Sequence, residues 1–262
     1  MYTNINIKRE EEKKFKIKKD DDEKKFNEWL AGVIDANGSL TVYKDGYVSL
    51  EITMRSNDFA TLMLIKNKLG GSVTLRAGVK TYRYRLHNKA GIIDLIHRIN
   101  GNVRNSMRLI ALKKACTFLK IPYISPIELS INSSWYSGFF DADGSISINF
   151  QPSSNIQVTP IITISVTNKY KMNIDPFLIF KGNIYFDKSG YGHYIWSISN
   201  KKDILNILEY FKKNPIRSCK LARLKSIYRF YKLKDLKAHQ QPINTPLYNS
   251  WLSFKWKWNK FY

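Results

Sequence analysis

The stretch Phe26-Asn-Glu-Trp-Leu-Ala-Gly-Val-Ile-Asp-Ala-Asn-Gly-Ser-Leu40 occurs a second time, in altered form, as Ser134-Trp-Tyr-Ser-Gly-Phe-Phe-Asp-Ala-Asp-Gly-Ser-Ile146. In both copies an apolar helical run leads into a short acidic segment, a glycine and the start of an alternating apolar pattern. Measured between Asn37 and Asp143, the offset is 143 minus 37, or 106 residues. In a chain of 262 residues, this spacing predicts two similar units in tandem.

The similarity continues downstream of both copies. Ile52-Thr-Met-Arg55 corresponds to Val166-Thr-Asn-Lys169, and Val103-Arg104 corresponds to Ile216-Arg217, each at the start of a basic helical segment. Hydrophobic periodicity within each copy favours a helix, two strands, a helix, two strands and closing helices. The sequence therefore predicts an α+β fold built from tandem αββαββα repeats.

Changes in composition, the two prolines and the bounds of the repeats divide the chain into five parts. Residues 1–25 carry alternating charge blocks and are predicted to be a disordered leader. The first repeat covers 26–120, and a linker with two prolines covers 121–133. The second repeat covers 134–237, and residues 238–262 form an aromatic and basic tail. The tail suits stacking on unpaired bases and docking against the protein's own surface equally well.

The charge balance points to a polyanionic partner. The chain has 43 Lys and Arg against 21 Asp and Glu, a formal net charge of +22. Nucleic acid is favoured over a membrane because no apolar run approaches the roughly 20 residues of a spanning helix. A solvated, lysine-rich surface is the alternative. The two cysteines and four histidines are scattered, so zinc chemistry finds no support.

The duplicated segment resembles the nine-residue signature of the LAGLIDADG homing endonucleases and maturases, which group I introns encode. Leu30-Ala-Gly-Val-Ile-Asp-Ala-Asn-Gly38 matches all but two positions, and Tyr136-Ser-Gly-Phe-Phe-Asp-Ala-Asp-Gly144 keeps the acidic end. The words Tyr47–Ile52, Arg83–Asn88 and Gly182–Lys188 are similar to the mitochondrial cytochrome-gene intron branch. The resemblance covers roughly residues 26–235 and implies pseudo-two-fold symmetry, with antiparallel sheets forming a DNA-binding saddle.

Small residues in the motif predict a close helix pair. Ala31, Gly32, Ser137 and Gly138 would let two helices approach and bring their C-terminal acids together. Such an oxygen-rich seam suits a hard divalent cation such as Mg²⁺. The glycines that end the motifs are expected to close the helices in the left-handed conformation. The first acids, Asp35 and Asp141, are expected to cap or orient the seam.

The resemblance implies a metal site at the second acidic position of each motif. That position is Asp143 in the second copy and Asn37 in the first, next to Ala142 and Ala36. An amide oxygen can ligate a cation but brings no charge, so metal affinity on the Asn37 side should be lower. The substitution leaves three readings open: a nicking enzyme, an inactive binder and a deliberately disabled variant.

The resemblance also implies basic and polar groups around the scissile phosphates. The residues in question are Arg104 in the first copy, Arg217 and Lys220 in the second, and Asn168, which would orient water. Ordinary phosphate contact is an equally good reading of the basic residues. The counterpart of Asn168 in the first copy is Met54, a second loss on the Asn37 side.

Exposed strand faces are predicted to lie in the major groove of double-stranded DNA, where Arg reads base edges and Lys holds phosphates. The residues predicted to contact nucleic acid are Tyr43, Lys44, Arg55, Arg76, Lys80, Arg83 and Arg85 in the first repeat and Lys169, Tyr185, Lys188 and Tyr194 in the second.

Three functions are consistent with these features. The protein could be a Mg²⁺-dependent site-specific DNA endonuclease, a maturase that helps a group I intron RNA splice, or a non-catalytic structural protein bound to a large RNA. Both motifs lie in one chain, so a monomer is expected. The N-terminus is neither an import peptide nor a secretory signal, and the richness in Lys, Ile, Asn, Tyr and Phe favours AT-rich coding. Together these features predict synthesis inside an organelle, and the resemblance to the cytochrome-gene intron branch implies that this organelle is the mitochondrion.

Overall fold

The computed structural model describes the backbone of residues 2–152 and 158–260 and consists of two similar α+β units, each with one four-stranded sheet. The elements of the first unit are α1 Tyr2–Asn37, β1 Gly38–Val42, β2 Val48–Arg55, α2 Phe59–Leu69, β3 Ser72–Leu75, β4 Thr81–Leu86, α3 Lys89–Ile99 and α4 Ser106–Leu119. Those of the second unit are α5 Trp135–Asp143, β5 Gly144–Pro152, β6 Val158–Asn168, β7 Asn183–Asp187, β8 His193–Ile198, α6 Lys201–Lys213 and α7 Lys220–Asp235, with α8 Pro246–Lys260 after it.

The two sheets have the same topology. Strand order is β1-β2-β4-β3 in the first and β5-β6-β8-β7 in the second, and every neighbouring pair is antiparallel. In place of a counterpart to α2, the second unit has two 3-10 turns, Lys171–Asn173 and Asp175–Phe180. The predicted α+β repeat is confirmed, with 3-10 turns in place of one helix of the second unit.

Alternating burial gives each sheet one apolar and one polar face. Along β2, Leu50, Ile52 and Met54 are buried against the helices, while Glu51 and Arg55 point to the opposite side. The polar face of each sheet is therefore open. Among the residues described, no helix is both long and apolar enough to cross a bilayer.

Helices α1 and α5 form the seam between the units, and glycine is required where they touch. A Cβ added to Gly138 would lie 1.9 Å from the carbonyl oxygen of Trp29, and one added to Gly32 would lie 2.1 Å from that of Trp135. Ala31 and Ser137 are fully buried at the same contact. The structure therefore brings together the four small residues predicted to form the helix interface.

The prediction that a left-handed glycine ends each motif helix is wrong. Gly144 has φ −78° and ψ 157°, and Gly38 is the first residue of β1 without a positive φ. Both positions exclude a side chain because the chain turns back on its own helix. An added Cβ would lie 2.7 Å from the Cα of Ile34 or 2.4 Å from the carbonyl oxygen of Phe140.

The structure also differs from the prediction of a disordered segment through residue 25. Helix α1 begins at Tyr2, and Glu23 pairs with Arg98 of α3 and, at 2.9 Å, with Lys68 of α2. Lys25 and Asp21 pair along the helix at 2.9 Å. Lys and Glu are good helix formers, so a helix anchored by the seam extends through this segment.

The C-terminal tail is helical, and one face of it docks on the second unit. Trp251, Phe254 and Trp258 of α8 are buried. The ring centroids of Trp251 and Phe254 lie 6.2 Å and 6.1 Å from that of Phe230 in α7. Of the two uses of the tail left open by the sequence, docking on the protein therefore applies to this inner face.

Candidate active site

The C-terminal ends of α1 and α5 open into one cavity of about 610 Å³. Asn37 and Asp143 both line it, and the wall also includes the ends of β2 and β6, the turn after β2, the starts of β4 and β5, and the start of α7. The lining residues also include Met54, Arg55, Asp58, Ala142, Thr167, Cys219 and Lys220.

Asp143 is the best-supported carboxylate of the cavity. The side-chain amide of Asn168 donates to its Oδ2 at 3.0 Å, and Asn173 donates to the amide oxygen of Asn168 at 2.9 Å, which fixes the orientation of that amide. Burial raises the pKa of Asp143 to about 6, against the lowering effects of the Asn168 hydrogen bond and the Lys220 charge. The carboxylate is thus held in one orientation beside a cation.

Lys220 brings a buried positive charge to the same wall. Its ammonium group donates at 2.5 Å to the main-chain oxygen of Asp141, which lies shortly before the C-terminal residue of α5, Asp143. Cys219 precedes it, and burial together with Asp58 raises the pKa of this thiol to about 11, so the thiol stays protonated at neutral pH. Lys220 is therefore the cationic group of the cavity on the Asp143 side.

The Asn37 side lacks three of these groups. Asn37 replaces the acid and is exposed, and Met54 stands at the end of β2 where Asn168 stands at the end of β6. Lys220 lies three residues after Arg217, and the residue three after Arg104 is Met107, which is 59% exposed. Sequence reasoning missed Met107, although counting from the two arginines finds it.

Asp35 and Asp141 are fully buried and anchor the seam through a crossed pair of hydrogen bonds. The indole of Trp135 donates to Asp35 at 2.8 Å, and the indole of Trp29 donates to Asp141 at 2.8 Å, so each acid binds a tryptophan of the other unit. The expectation that these acids orient the seam rather than bind metal agrees with this geometry. The sequence analysis did not predict a role for the two tryptophans. Each precedes the first acid of its own motif by six residues, 35 minus 29 in the first copy and 141 minus 135 in the second.

Main-chain N–H groups complete the sites of both acids. Asp35 accepts from the backbone of Arg104 at 2.7 Å and of Asn105 at 3.0 Å. Asp141 accepts in the same way from Arg217 at 2.7 Å and Ser218 at 2.9 Å. The helix seam is thereby tied to the start of α4 and to the loop before α7.

The structure does not place the side chains of Arg104 and Arg217 at the cavity, contrary to the catalytic prediction. The Arg217 guanidinium lies over the rings of Trp29, at 4.6 Å, and Phe26, at 5.4 Å. Burial lowers the pKa of both arginines, and the Arg104 side chain is stabilised by the charges of Asp35 and Glu28. Cation–π stacking holds the Arg217 side chain away from the cavity, and the backbone N–H group of each arginine donates to the first acid of its own repeat.

A cation at this cavity would have few protein ligands. Asp143 offers a carboxylate and Asn37 an amide oxygen. Ala36 and Ala142 both pack against the core, and of the two only Ala142 is among the residues that line the cavity. Among residues 18–150 and 159–260, whose side chains the structure describes, no three His, Cys, Asp or Glu are grouped to hold a metal ion. The converging helix C-termini add partial negative charge. This donor set fits Mg²⁺, which is commonly bound by one or two carboxylates together with water and substrate phosphates.

The residues predicted to contact nucleic acid lie on the open faces of the sheets and at strand ends and turns. Arg55, Arg83 and Arg85 lie on the open face of the first sheet, and Tyr185 on that of the second. Other predicted residues stand at strand ends and turns, namely Tyr43, Lys44, Arg76, Lys80, Lys169 and Lys188. Glu51 pairs with Arg85 at 2.7 Å and with Arg83 at 3.5 Å on the same face.

The prediction for Tyr194 is wrong. Tyr194 is two residues from the buried Trp196 and therefore points to the helix side of β8, where it packs against Phe186 with ring centroids 4.9 Å apart. The strand period of two decides its orientation.

Comparison with known proteins agrees with this arrangement. The model of the LAGLIDADG endonuclease family matches residues 136–231. The intron-encoded DNA endonuclease ai2b of Dictyostelium discoideum is 32% identical over 240 residues, which cover 88% of this chain and 88% of that protein. The chain belongs to the LAGLIDADG endonuclease family.

Two further proteins, one a maturase and one a homing endonuclease of known structure, are similar to this LAGLIDADG protein. The intron-encoded RNA maturase bI4 of Saccharomyces cerevisiae is 48% identical over 237 residues, 90% of this chain but 37% of the maturase. The LAGLIDADG chain thus spans well under half the length of that relative. The homing endonuclease I-SmaMI, solved on an uncleaved DNA target in the presence of calcium ions, has the same fold, with a TM-score of 0.63 and 17% identity over 89% of this chain and 97% of its own.

Proposed function

We propose that this chain is an intron-encoded, site-specific DNA endonuclease that hydrolyses one strand of its target in a Mg²⁺-dependent reaction. The observation that supports this proposal most strongly is the unequal cavity. Asn168 donates to Asp143, and Lys220 lines the same wall of the cavity. The corresponding positions of the first repeat hold Asn37, Met54 and Met107, and the first two of these line the cavity. Only the strand whose scissile phosphate lies on the Asp143 side meets a complete set.

Each residue of the complete set has a separate role in the proposed reaction. Asp143 would hold the cation through its carboxylate, which Asn168 keeps in one orientation. Lys220 would offset negative charge on the scissile phosphate. A bound divalent cation supplies Lewis-acid polarisation of the phosphodiester and activates a water. On the Asn37 side the polarising charge and the orienting amide are both missing, so cleavage there is expected to be slow.

Plasmid nicking tests the proposal directly. Supercoiled plasmid carrying the intron-insertion site is incubated with protein and Mg²⁺, and open circles without linear product are expected. Asp143→Asn should abolish nicking, whereas the matched change Asn37→Ala should leave it within a few fold of the original rate. Linear product from the unmodified protein, or nicking that survives Asp143→Asn, would contradict the assignment.

Restoring the missing groups is a converse test. A variant with Asn37→Asp, Met54→Asn and Met107→Lys should convert open circles to linear DNA, because both sides of the cavity then carry the same set. Asn37→Asp alone is expected to give a smaller gain. No linear product from the triple variant would mean that the loss on this side lies elsewhere.

An RNA maturase is the second function that we propose for this chain. It is supported by the 48% identity with the yeast RNA maturase over 90% of this chain and by the decay of one half of the cavity. The matching test is splicing of the host intron at low Mg²⁺ with and without protein, in which Asp143→Asn should lose nicking and keep splicing. Splicing indifferent to added protein would exclude this role. For either function we propose that the protein acts in the mitochondrion.

A further inference from the structure

The outer face of α8 has the composition of a nucleic-acid contact. The helix contains three lysines in its last six residues and no acidic residue. Trp256, Lys257 and Lys260 are exposed, and the Lys260 ammonium lies 4.7 Å from the centre of the Trp256 ring. The LAGLIDADG cavity does not use this surface, since no residue of α8 lines it.

Trp256 differs from every other tryptophan of the chain. It is 62% exposed, whereas the remaining five of the six are at most 4% exposed. An exposed indole beside exposed lysines is the combination that stacks on unpaired bases and contacts the nucleic-acid backbone. The lysine over its face shows that the ring already attracts a cation.

The packing of α8 keeps this indole in place. Trp251, Phe254 and Trp258 hold the inner face against α7, and the Arg223 guanidinium lies 5.1 Å from the Trp258 ring while donating to the main-chain oxygen of Ile146 in β5. The outer face is therefore presented on a rigid element, which lowers the entropy cost of binding.

We propose that the outer face of α8, defined by Trp256, Lys257 and Lys260, binds unpaired bases of an RNA. Trp256 stacks on a base, and the two lysines contact the flanking phosphates. An intact DNA duplex keeps its bases inside the stack, so an exposed indole gains little from it. A folded intron RNA offers unpaired bases in its loops and bulges. This inference deepens the RNA-binding role proposed above and rests on it, and it is independent of nicking.

Intrinsic fluorescence provides a direct test because only one indole is open to solvent. The full-length protein is titrated with a 12-nucleotide oligouridylate RNA at low salt, and saturable quenching of tryptophan emission is expected. Trp256→Phe should remove the quenching signal while a labelled RNA still binds. Trp256→Ala should weaken binding of the labelled RNA by roughly 5- to 100-fold, the range of one lost stacking contact.

Matched changes separate stacking from general damage to the helix. Leu252→Ala alters a 44% exposed residue of the same helix and should leave RNA affinity within about twofold. Changing both Lys257 and Lys260 to Gln should weaken the salt dependence of binding, so that the magnitude of the slope of log affinity against log salt falls by roughly one to two. Far-UV circular dichroism and nicking of the plasmid should be unchanged in all of these variants.

The possible outcomes distinguish the two proposals. Equal RNA affinity of Trp256→Ala and the unmodified protein, or equal loss in Leu252→Ala, overturns the inference. Equal affinity for the deoxy-oligomer of the same sequence overturns the assignment to RNA. If the oligomer binds as expected but splicing does not respond to the protein, the maturase role fails while the binding surface stands.

Discussion

Gly138→Ala tests whether the contact between α1 and α5 is as close as the structure shows. The added Cβ would lie 1.9 Å from the carbonyl oxygen of Trp29, whereas ordinary contact begins at 3.4 Å. The helices must therefore part by about 1.5 Å, the difference between the two distances. The atom in the way belongs to the backbone of α1, so a side-chain rotation cannot relieve the clash.

Two costs follow from that displacement. Overpacking in a rigid contact costs roughly 1–3 kcal/mol. The hydrogen bond from the Trp29 indole to Asp141, now 2.8 Å, would also be lost, at about 1.5–3 kcal/mol for a bond to a charged group. The higher helix propensity of alanine returns at most about 1 kcal/mol. The net loss expected is about 2–5 kcal/mol, a large part of a typical folding stability of about 5–15 kcal/mol.

Urea unfolding followed by circular dichroism measures this loss, with Ser137→Ala as the matched control. Ser137 lies beside Gly138 in the same helix, and its hydroxyl donates only to the main-chain oxygen of Ser134, at 2.8 Å. Its removal should change stability by less than about 1 kcal/mol. A midpoint for Gly138→Ala equal to that of Ser137→Ala would refute the close-contact reasoning. Because Asp143 moves with α5, Gly138→Ala should also lose nicking.

Three further predictions concern the seam, the N-terminal ion pairs and α8. Trp135→Phe removes one donor from Asp35 and should cost about 1.5–3 kcal/mol; because burial already raises the pKa of Asp35 to about 6, losing the donor raises it further and penalises the ionised form. Its destabilisation should therefore be larger at pH 8 than at pH 4, and equal losses at both would contradict this reading. Hydrogen bonds from Arg98 and Lys68 lower the pKa of Glu23 to about 2, so this pairing stabilises the fold above about pH 4.5 and is lost as the pH falls toward 2. Glu23→Gln should lower the unfolding free energy at pH 7 by less than about 1 kcal/mol, since the pair is partly exposed, and should match the unmodified protein near pH 2. Trp251→Ala empties a buried site under α8 and should release the helix to limited proteolysis before the rest of the chain is cut, whereas simultaneous cleavage throughout would show that α8 unfolds with the second unit.

The sequence predicted the repeat, the strands and the close helix pair because each depends on local patterns. Alternation of apolar residues identifies a strand wherever it pairs, and the small residues of the motif indicate a close contact without their partners being known. The same rule would have assigned Tyr194 correctly, since it shares its strand face with Trp196 and Ile198.

Contacts between the units could not be predicted in this way. The indole of Trp29 meets Asp141 across 112 positions of the chain, and no periodicity encodes that pairing. Arg217 was assigned to the cavity from its place in the repeat, but aromatic rings hold its side chain elsewhere. For a long side chain, position in the sequence fixes where the backbone lies and leaves the direction of the charged end to its neighbours.

The crossed indoles have a consequence for how this chain has diverged. Either unit alone would bury a carboxylate without its indole donor, so the two units constrain each other and cannot drift apart in shape. No such contact between the units links these other positions. There the first repeat has Asn37, Met54 and Met107, and the second has Asp143, Asn168 and Lys220. The residues of the seam therefore match between the two units, whereas the residues that line the cavity differ between them.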